Sequence, residues 1–294
     1  MADATRRLPT NVEGDLFVDE TCIDCGACRW MLPTVFDAED GASRVYRQPD
    51  ARERARALQA AVACPSGSIG TARRDPEGLR RASSSFPHPM AEGVFHCGYH
   101  SEKSFGAASY LVLREEGHVL VDSPRFAKPL VRALEALGGV ATMFLTHRDD
   151  VADHERFAAH FGCRRIIHRR DRTSRTQGVE QVIEGDAPVE LAPGLTVIPT
   201  PGHTAGSACL LVGESLFSGD HLAFSRRLGH LYAFRDACWY DWTTQIASME
   251  RLAGYRFVRV LPGHGAPVER PAGAMADDLQ RCIRWMRSLS PSGW

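Results

Sequence analysis

The sequence predicts an α+β protein built from two parts of unequal size, and three observations support this. Four of the nine cysteines lie within the first 64 residues. From residue 95 onward, apolar runs with strand and helix spacing alternate. The chain of 294 residues, with 44% apolar and 24% charged residues, is long enough for one large or two smaller globular domains. We predict a small domain at residues 1–80, a linker at 81–90 and a larger domain at 91–294.

The net charge and hydropathy of the chain limit the classes of partner and the compartment that we expect for the protein. A formal net charge of -1 gives no electrostatic reason to bind nucleic acid or an anionic membrane. No apolar run is long enough to cross a bilayer, and no N-terminal stretch resembles a signal peptide. We therefore expect a cytoplasmic protein, in which thiols stay reduced and the cysteines serve a purpose other than disulfides.

The small domain carries a cysteine motif. Cys22, Cys25 and Cys28 follow the spacing C-x2-C-x2-C, and Cys64 precedes a proline further on. Structural zinc sites usually have two separated cysteine pairs, whereas a triplet plus one remote cysteine is typical of an iron–sulfur cluster. The stretch resembles a bacterial ferredoxin with a single [4Fe-4S] cluster, also in the continuation over residues 28–36. The resemblance implies that these four cysteines bind one cluster.

Local signals in the small domain predict a compact α+β unit. Leu16–Val18 is a short apolar strand. Asp50 and Glu53 have the spacing of a capping box, which predicts a helix that continues through Val62.

The larger domain alternates strands and helices. Strands are predicted at residues 108–113, 118–121, 142–145, 195–198, 208–212 and 215–217. Helices are predicted at residues 129–137, 151–161, 241–252 and 274–289.

Four apolar strands of this domain end in histidine or aspartate, usually behind glycine or proline. Imidazole and carboxylate together are the ligands of zinc and non-haem iron sites, and strand ends on one edge of a sheet gather ligands. The sequence therefore predicts a polynuclear metal site built from four loops. The residues at these strand ends are His147, Asp149, Asp150, Asp153, His154, His203, Asp220 and His264.

The order of these residues resembles the metallo-β-lactamase superfamily. The family pattern is H-x-H-x-D-H, then histidine in P-G-H-T/S, aspartate in S-G-D and histidine in P-G-H-G. The resemblance implies an αβ/βα four-layer sandwich, two metal ions bridged by Asp220, a small-molecule substrate, and Asp153 and Asp220 as the catalytic carboxylates. It implies these metal ligands: His147, Asp149, Asp153, His154, His203, Asp220 and His264.

One departure from the family pattern concerns the second position. Asp149 stands where the family has histidine, and two extra residues precede Asp153 and His154. Asp150 could serve instead of Asp149, or neither could. Oxygen donors shift the preference of a site from zinc toward iron or manganese, and flavodiiron proteins of this superfamily also carry a carboxylate at this position.

The remaining aromatic, histidine and cysteine residues are expected to have packing or supporting roles rather than to bind metal. We expect the aromatic group between Tyr232 and Trp242 to be packing, and Arg235 is the weakest substrate-binding candidate. His221 and His230 could support a ligand. Core or hydrogen-bonded roles are expected for His88, His96, His100, His118, His160, His168, Cys97, Cys163, Cys209, Cys238 and Cys282.

Two functions compete. In the favoured one, a di-iron site performs redox chemistry on O2, NO or an organic substrate, and a reductase supplies electrons through the cluster. In the other, a zinc hydrolase of esters, thioesters or amides resembles glyoxalase II, and the ferredoxin is structural or regulatory. A third reading, an electron carrier whose larger domain only docks a partner, is disfavoured by the intact motifs at His203, Asp220 and His264.

Overall fold

The structure is a computed structural model that describes residues 2–289. It divides into two compact units. The first contains the residues up to 142 together with 152–163, and the second contains 143–151 and the residues from 164 onward. Within the described residues, no helix is long and apolar enough to span a membrane. The outer ends of the predicted domains, residue 1 and residues 290–294, lie outside the described residues.

The elements alternate along the chain as the sequence predicts. The helices are α1 (Ala27–Met31), α2 (Arg54–Ala63), α3 (Pro76–Ser84), α4 (Lys128–Ala136), α5 (His154–Phe161), α6 (Trp242–Leu252) and α7 (Ala272–Ser288). The strands are β1 (Leu16–Val18), β2 (Phe36–Glu39), β3 (Ala42–Val45), β4 (Ile69–Thr71), β5 (His88–Ala91), β6 (Val94–His96), β7 (Tyr110–Val112), β8 (Val119–Val121), β9 (Thr142–Phe144), β10 (Arg164–His168), β11 (Gln181–Ile183), β12 (Val189–Ala192), β13 (Leu195–Pro199), β14 (Ala208–Val212), β15 (Ser215–Gly219), β16 (Ala223–Ser225), β17 (His230–Tyr232), β18 (Arg259–Pro262) and β19 (Val268–Glu269).

The N-terminal part of the first unit is a small α+β arrangement. Strands β1 and β4 pair antiparallel, and β2 and β3 form a hairpin. The predicted capping box is present at the start of α2. The Asp50 carboxylate accepts from the Glu53 N–H at 2.9 Å, and the Glu53 carboxylate accepts from the Asp50 N–H at 3.1 Å. Two backbone donors that the helix leaves unpaired are thereby satisfied.

Secondary structure occupies the stretch predicted as a linker. Helix α3 begins at Pro76, with the Asp75 carboxylate accepting from the Gly78 N–H at 2.8 Å, and continues to Ser84. Strand β5 then begins at His88. Residues 81–90 therefore contain the end of a helix and the start of a strand, and the boundaries proposed from the sequence stay a prediction.

The first unit packs its N-terminal part against the strands that follow. Strands β5, β6, β7 and β8 pair antiparallel in that order. The Trp30 ring meets the ring of His96 edge-on, at a centroid distance of 5.0 Å. Gly106 has a φ of +84°, and a Cβ there would lie 2.6 Å from the Cβ of Cys25. Only glycine permits so close an approach, so the loop before β7 lies directly against the cysteine motif.

The second unit contains a six-stranded sheet in the order β12-β13-β14-β15-β18-β19. Strands β15 and β18 are parallel, so their carboxyl ends meet at the same edge. One face of the sheet is covered by α6 and α7. The buried cluster between them includes Ile198, Leu216 and Val260 from the strands and Met249 and Leu279 from the helices. This core holds the strand ends in place behind the loops that follow them.

Candidate metal centres

The cysteine motif lines a cavity in the first unit. Cys22, Cys25, Cys28 and Cys64 all border this cavity. Gly26 adopts a φ of +76° at the start of α1, so the loop can turn tightly enough for three cysteines to face one centre. The arrangement fits the predicted cluster, in which one loop supplies three corners and a remote cysteine the fourth.

Backbone donors surround the cysteine sulfurs. The Ser43 N–H donates to Cys22 Sγ at 3.4 Å, and the Ser68 N–H donates to Cys64 Sγ at 3.3 Å. Burial raises the pKa of Cys25 to about 12, and the neighbouring cysteines add to this effect. A bare thiolate is therefore unfavourable here, and the positive charge of iron would offset that cost. The N–H donors would set the potential of a bound cluster.

The second unit gathers three of the predicted ligands into one group. His147, His203 and Asp220 each offer a ligand atom, and these atoms lie within 4.8 Å of one another. Nε2 of His147 is 3.7 Å from Asp220 Oδ2, and Nε2 of His203 is 3.8 Å from it. Asp149 faces the same group, with Oδ2 4.0 Å from His147 Nε2 and 3.8 Å from His203 Nε2. The group therefore offers two imidazoles and two carboxylates.

A second group shares Asp220 with the first. It contains Asp150, Asp220 and His264, again with ligand atoms within 4.8 Å of one another. A Cβ on Gly263 would lie 2.5 Å from Asp150 Oδ2 and 2.9 Å from Asp220 Oδ1. The glycine before His264 thus leaves room for both carboxylates. A carboxylate common to both groups has the position expected of a bridging ligand.

Hydrogen bonds orient the histidines for metal binding. Nδ1 of His203 donates to the carbonyl of Ala237 at 2.5 Å, which leaves the lone pair on Nε2. Nδ1 of His147 is 3.1 Å from the Thr146 hydroxyl. Within residues 2–289, neither buried Nε2 atom has a hydrogen-bond partner. Buried polar atoms are rarely left unpaired, so these two nitrogens fit a metal ion.

The protonation states of His147 and Asp220 in the second unit also favour the binding of cations. Burial lowers the pKa of His147 to about 3, so the ring is neutral and able to coordinate. Burial acts to raise the pKa of Asp220, but the adjacent His264 and the other histidines hold it below its usual range. The Asp220 carboxylate is therefore ionised at neutral pH.

Asp153 and His154 belong to the first unit, and neither is a member of the two groups found among the described residues. Both oxygens of Asp153 are engaged, one by Lys103 Nζ at 2.7 Å and the other by the Phe126 N–H at 2.9 Å. His154 is buried at the start of α5. Both residues stay predicted ligands. Asp150, an alternative in the sequence, lies in the second group together with Asp220 and His264.

An aromatic rim adjoins the first group and was not expected from the sequence. Trp239 and Tyr240 are 61% and 54% exposed. The Trp239 N–H donates to the His203 carbonyl at 2.9 Å, and its ring centroid is 6.4 Å from that of His203. Arg235, by contrast, stacks on the Trp242 ring at 4.8 Å. Sequence patterns cannot separate packing aromatics from exposed ones in an irregular loop.

Comparisons with known proteins agree with this arrangement. Residues 18–71 match the 4Fe-4S single cluster domain of Ferredoxin I, and residues 94–282 match the metallo-beta-lactamase superfamily. The predictions of both domain types and of an α+β fold containing the superfamily's sandwich are confirmed.

Individual relatives are more distant. Over 127 residues the chain is 29% identical to a hydroxyacylglutathione hydrolase of Citrobacter koseri, covering 42% of this chain and 49% of that one. The chain thus spans about half the length of the curated relatives it matches. A metallo-beta-lactamase of Hirschia baltica is 18% identical, with a TM-score of 0.52 over 66% of this chain and 95% of that one. One from Erythrobacter litoralis is 16% identical, with a TM-score of 0.51 over 68% and 91%. These two structures support the fold alone.

Proposed function

The chain belongs to the metallo-beta-lactamase superfamily and carries a [4Fe-4S] ferredoxin domain, and from that premise we propose that it is a di-iron oxidoreductase. Electrons from a partner reductase would reach the second metal centre through the cluster. The substrate would be O2, NO or a small organic molecule. The chain's own residues would hold the ions and the substrate, and iron would supply the electron chemistry.

The donor set of the second unit carries this proposal. Three carboxylates, Asp149, Asp150 and Asp220, accompany the histidines of the two groups. Oxygen donors favour iron or manganese over zinc, because ligand type and geometry rather than raw affinity decide which ion a site retains. Asp220 would bridge the ions, His147, His203 and Asp149 would hold one, and Asp150 and His264 the other.

The ferredoxin domain provides independent support. A [4Fe-4S] cluster carries single electrons, and zinc cannot accept them because it has no redox chemistry. A hydrolase has no step that consumes electrons. The presence of the cluster motif in the same chain is therefore better explained by a redox-active second centre.

The aromatic rim suggests one property of the substrate. Trp239 and Tyr240 present exposed rings while their backbone is fixed to the loop of His203. Exposed aromatic rings beside a reaction centre bind flat apolar groups by stacking. Among the substrates considered, this favours an organic molecule with a flat apolar group over a diatomic gas.

A zinc hydrolase is the second candidate. It is favoured by the similarity to hydroxyacylglutathione hydrolases. Two ions bridged by Asp220 would lower the pKa of a bound water for attack on a thioester. In that case Asp149, Asp150 and Asp220 would have to accept zinc, and the cluster would have a structural or regulatory role.

Metal analysis and Mössbauer spectroscopy of anaerobically purified protein distinguish the di-iron oxidoreductase from the zinc hydrolase. We expect two irons beyond the four of the cluster, with a separate Mössbauer signal. Asp149→His, which restores the imidazole of the family pattern, should shift the metal content toward zinc. Asp186→Asn, which changes a half-exposed aspartate paired with Arg170, is the control. Zinc-loaded protein that hydrolyses hydroxyacylglutathione thioesters at full rate without its cluster would contradict the proposal.

A further inference from the structure

A buried aspartate outside both metal groups connects the two loops of the first group. Asp171 ends the short helical turn Arg169–Asp171 that follows β10, and its side chain is fully buried. Its Oδ2 accepts from the Thr204 hydroxyl at 2.6 Å and from the Arg148 N–H at 3.0 Å. Its Oδ1 accepts from the Gly206 N–H at 2.8 Å. The three donors come from the segments that carry His147 and His203.

These hydrogen bonds constrain the position of both loops. An ionised carboxylate buried away from water is tolerated only when donors satisfy its oxygens, so losing one donor is costly. Both oxygens of Asp171 are occupied by donors from the chain. Separating the two loops would therefore leave buried carboxylate oxygens of Asp171 without donors.

Close packing reinforces the connection. A Cβ on Gly206 would lie 2.6 Å from the Asp171 backbone nitrogen and 2.7 Å from Oδ1. No larger residue fits there without a shift. Thr204 is held in turn by Ser207, whose hydroxyl accepts from the Thr204 N–H at 2.9 Å. The Thr204 carbonyl accepts from the Gly202 N–H at 3.0 Å, which closes the turn around His203.

We propose that Asp171 is the positioning residue of the first metal group, holding the loops of His147 and His203 so that their Nε2 atoms converge on one ion. Among the described residues it belongs to neither metal group, and its oxygens accept hydrogen bonds from the two loops. The inference rests on the two-metal centre of the proposed function. It is independent of whether the ions are iron or zinc and of whether the reaction is redox or hydrolytic.

Equilibrium dialysis of the cluster-loaded full chain against Co²⁺, with metal counted by mass spectrometry, tests the proposal. His203→Ala and Asp150→Asn identify the binding steps of the first and second groups. In Asp171→Asn, we expect the affinity of the first step to fall about 10- to 100-fold, the range found when residues that orient metal ligands are changed. The second step should change much less. Asp186→Asn, from the same region, should bind as wild type.

Thr204 provides a second and milder test, which applies even if the Asp171 variant does not fold. Thr204→Val removes the hydroxyl donor at nearly constant volume, and Thr204→Ser retains it. We expect the valine variant to weaken the first binding step and the serine variant to restore it, with unchanged circular dichroism. Wild-type affinity for two Co²⁺ in Thr204→Val and in folded Asp171→Asn would overturn the positioning role. Binding of a single Co²⁺ by the wild-type chain would overturn the two-metal centre on which it rests.

Discussion

Three aspartates follow β9 within five residues of one another, and their environments differ. Asp149 is half exposed and faces His147 and His203. Asp150 is buried and grouped with Asp220 and His264. Asp153 accepts from Lys103 and from the Phe126 N–H in the first unit. At the scale of single residues, hydrogen-bond partners rather than residue type distinguish a candidate ligand from a structural carboxylate.

Asp150→Asn and Asp153→Asn should therefore have different effects. Asp150→Asn replaces a carboxylate oxygen in the second group, so we expect the loss of one of the two bound ions. Asp153→Asn should weaken the contact with Lys103 and lower the free energy of unfolding by about 1 kcal/mol, with both ions retained. Metal counts and urea unfolding measure the two effects. Loss of an ion only in the Asp153 variant would assign that residue as the ligand, as in the family pattern.

Removal of one cluster cysteine should abolish the cluster. In Cys64→Ala, a corner of the predicted [4Fe-4S] site lacks its thiolate, so we expect the brown absorbance to disappear and the small domain to lose stability, because metal-binding energy is folding energy. Cys97→Ala removes a buried thiol that does not line the cavity of the motif and is the matched control. An unchanged visible spectrum in the Cys64 variant would refute the assignment.

At the scale of elements, the ends of strands determine the site. Strands β15 and β18 are parallel, and Asp220 and His264 follow them directly. The His264 Nδ1 is 2.8 Å from Asp220 Oδ1 as a result. The helix predicted from residue 151 begins at His154, since residues 150–153 form turns. Those turns contain the two residues that the chain has in excess of the family pattern. Asp150 lies in the second group, whereas Asp153 lies in the first unit and stays a predicted ligand.

The loop carrying Trp239 should determine binding of flat apolar groups. With metal-loaded protein, we expect 1-naphthoate to bind about 5-fold more weakly to Trp239→Ala, since stacking on an aromatic ring contributes on the order of 1 kcal/mol. Acetate, which has no ring, should bind equally to both proteins, and Trp239→Phe should restore naphthoate binding. Calorimetric titration of each protein with 1-naphthoate and with acetate measures these affinities. Equal naphthoate affinity in the alanine variant would exclude the rim from substrate binding.

At the scale of the whole molecule, one chain combines a ferredoxin domain with a metallo-beta-lactamase domain. Within the first unit, the loop before β7 approaches Cys25, and Trp30 contacts His96. The cluster motif is thus packed against the strands that begin the larger domain. Under the proposed function, the ferredoxin domain would supply electrons to the second metal centre of the same chain.

Turnover should consequently depend on the cluster. With an external reductant, we expect the cluster-free Cys64→Ala protein to consume each proposed substrate, whether O2, NO or an organic molecule, no faster than without reductant, because electrons would no longer reach the second centre. Metal content of the second unit should be unchanged, and Cys97→Ala should behave as wild type. Undiminished consumption in a cluster-free variant that retains its two other ions would show that the ferredoxin is not the electron source.

The sequence by itself determined the features that depend on short segments of neighbouring residues. The C-x2-C-x2-C triplet, the capping box at Asp50 and Glu53, and the glycine-histidine turns at His203 and His264 each depend on a few neighbouring residues, and so they are visible without a fold. For the same reason, the alternation of apolar runs indicated four of the seven α-helices but fewer than half of the nineteen strands among the described residues, since periodicity reflects which face is buried.

The tertiary structure alone decided which groups meet in space. Asp149, Asp150 and Asp153 are chemically alike and nearly adjacent, so only the path of the chain after β9 separates them. Asp171 precedes Thr204 by 33 residues and Gly206 by 35 residues in the sequence.

Separations of that size leave no local signal, because only the packing of β10 against the loops after β9 and β13 creates the contact. Trp239 is exposed for a similar reason, since its loop is held by backbone hydrogen bonds to Gly202 and His203 rather than by burial of its ring. Motifs formed by neighbouring residues can therefore be predicted from the sequence. Which of several similar side chains enters a site depends on contacts between segments that are distant in the sequence.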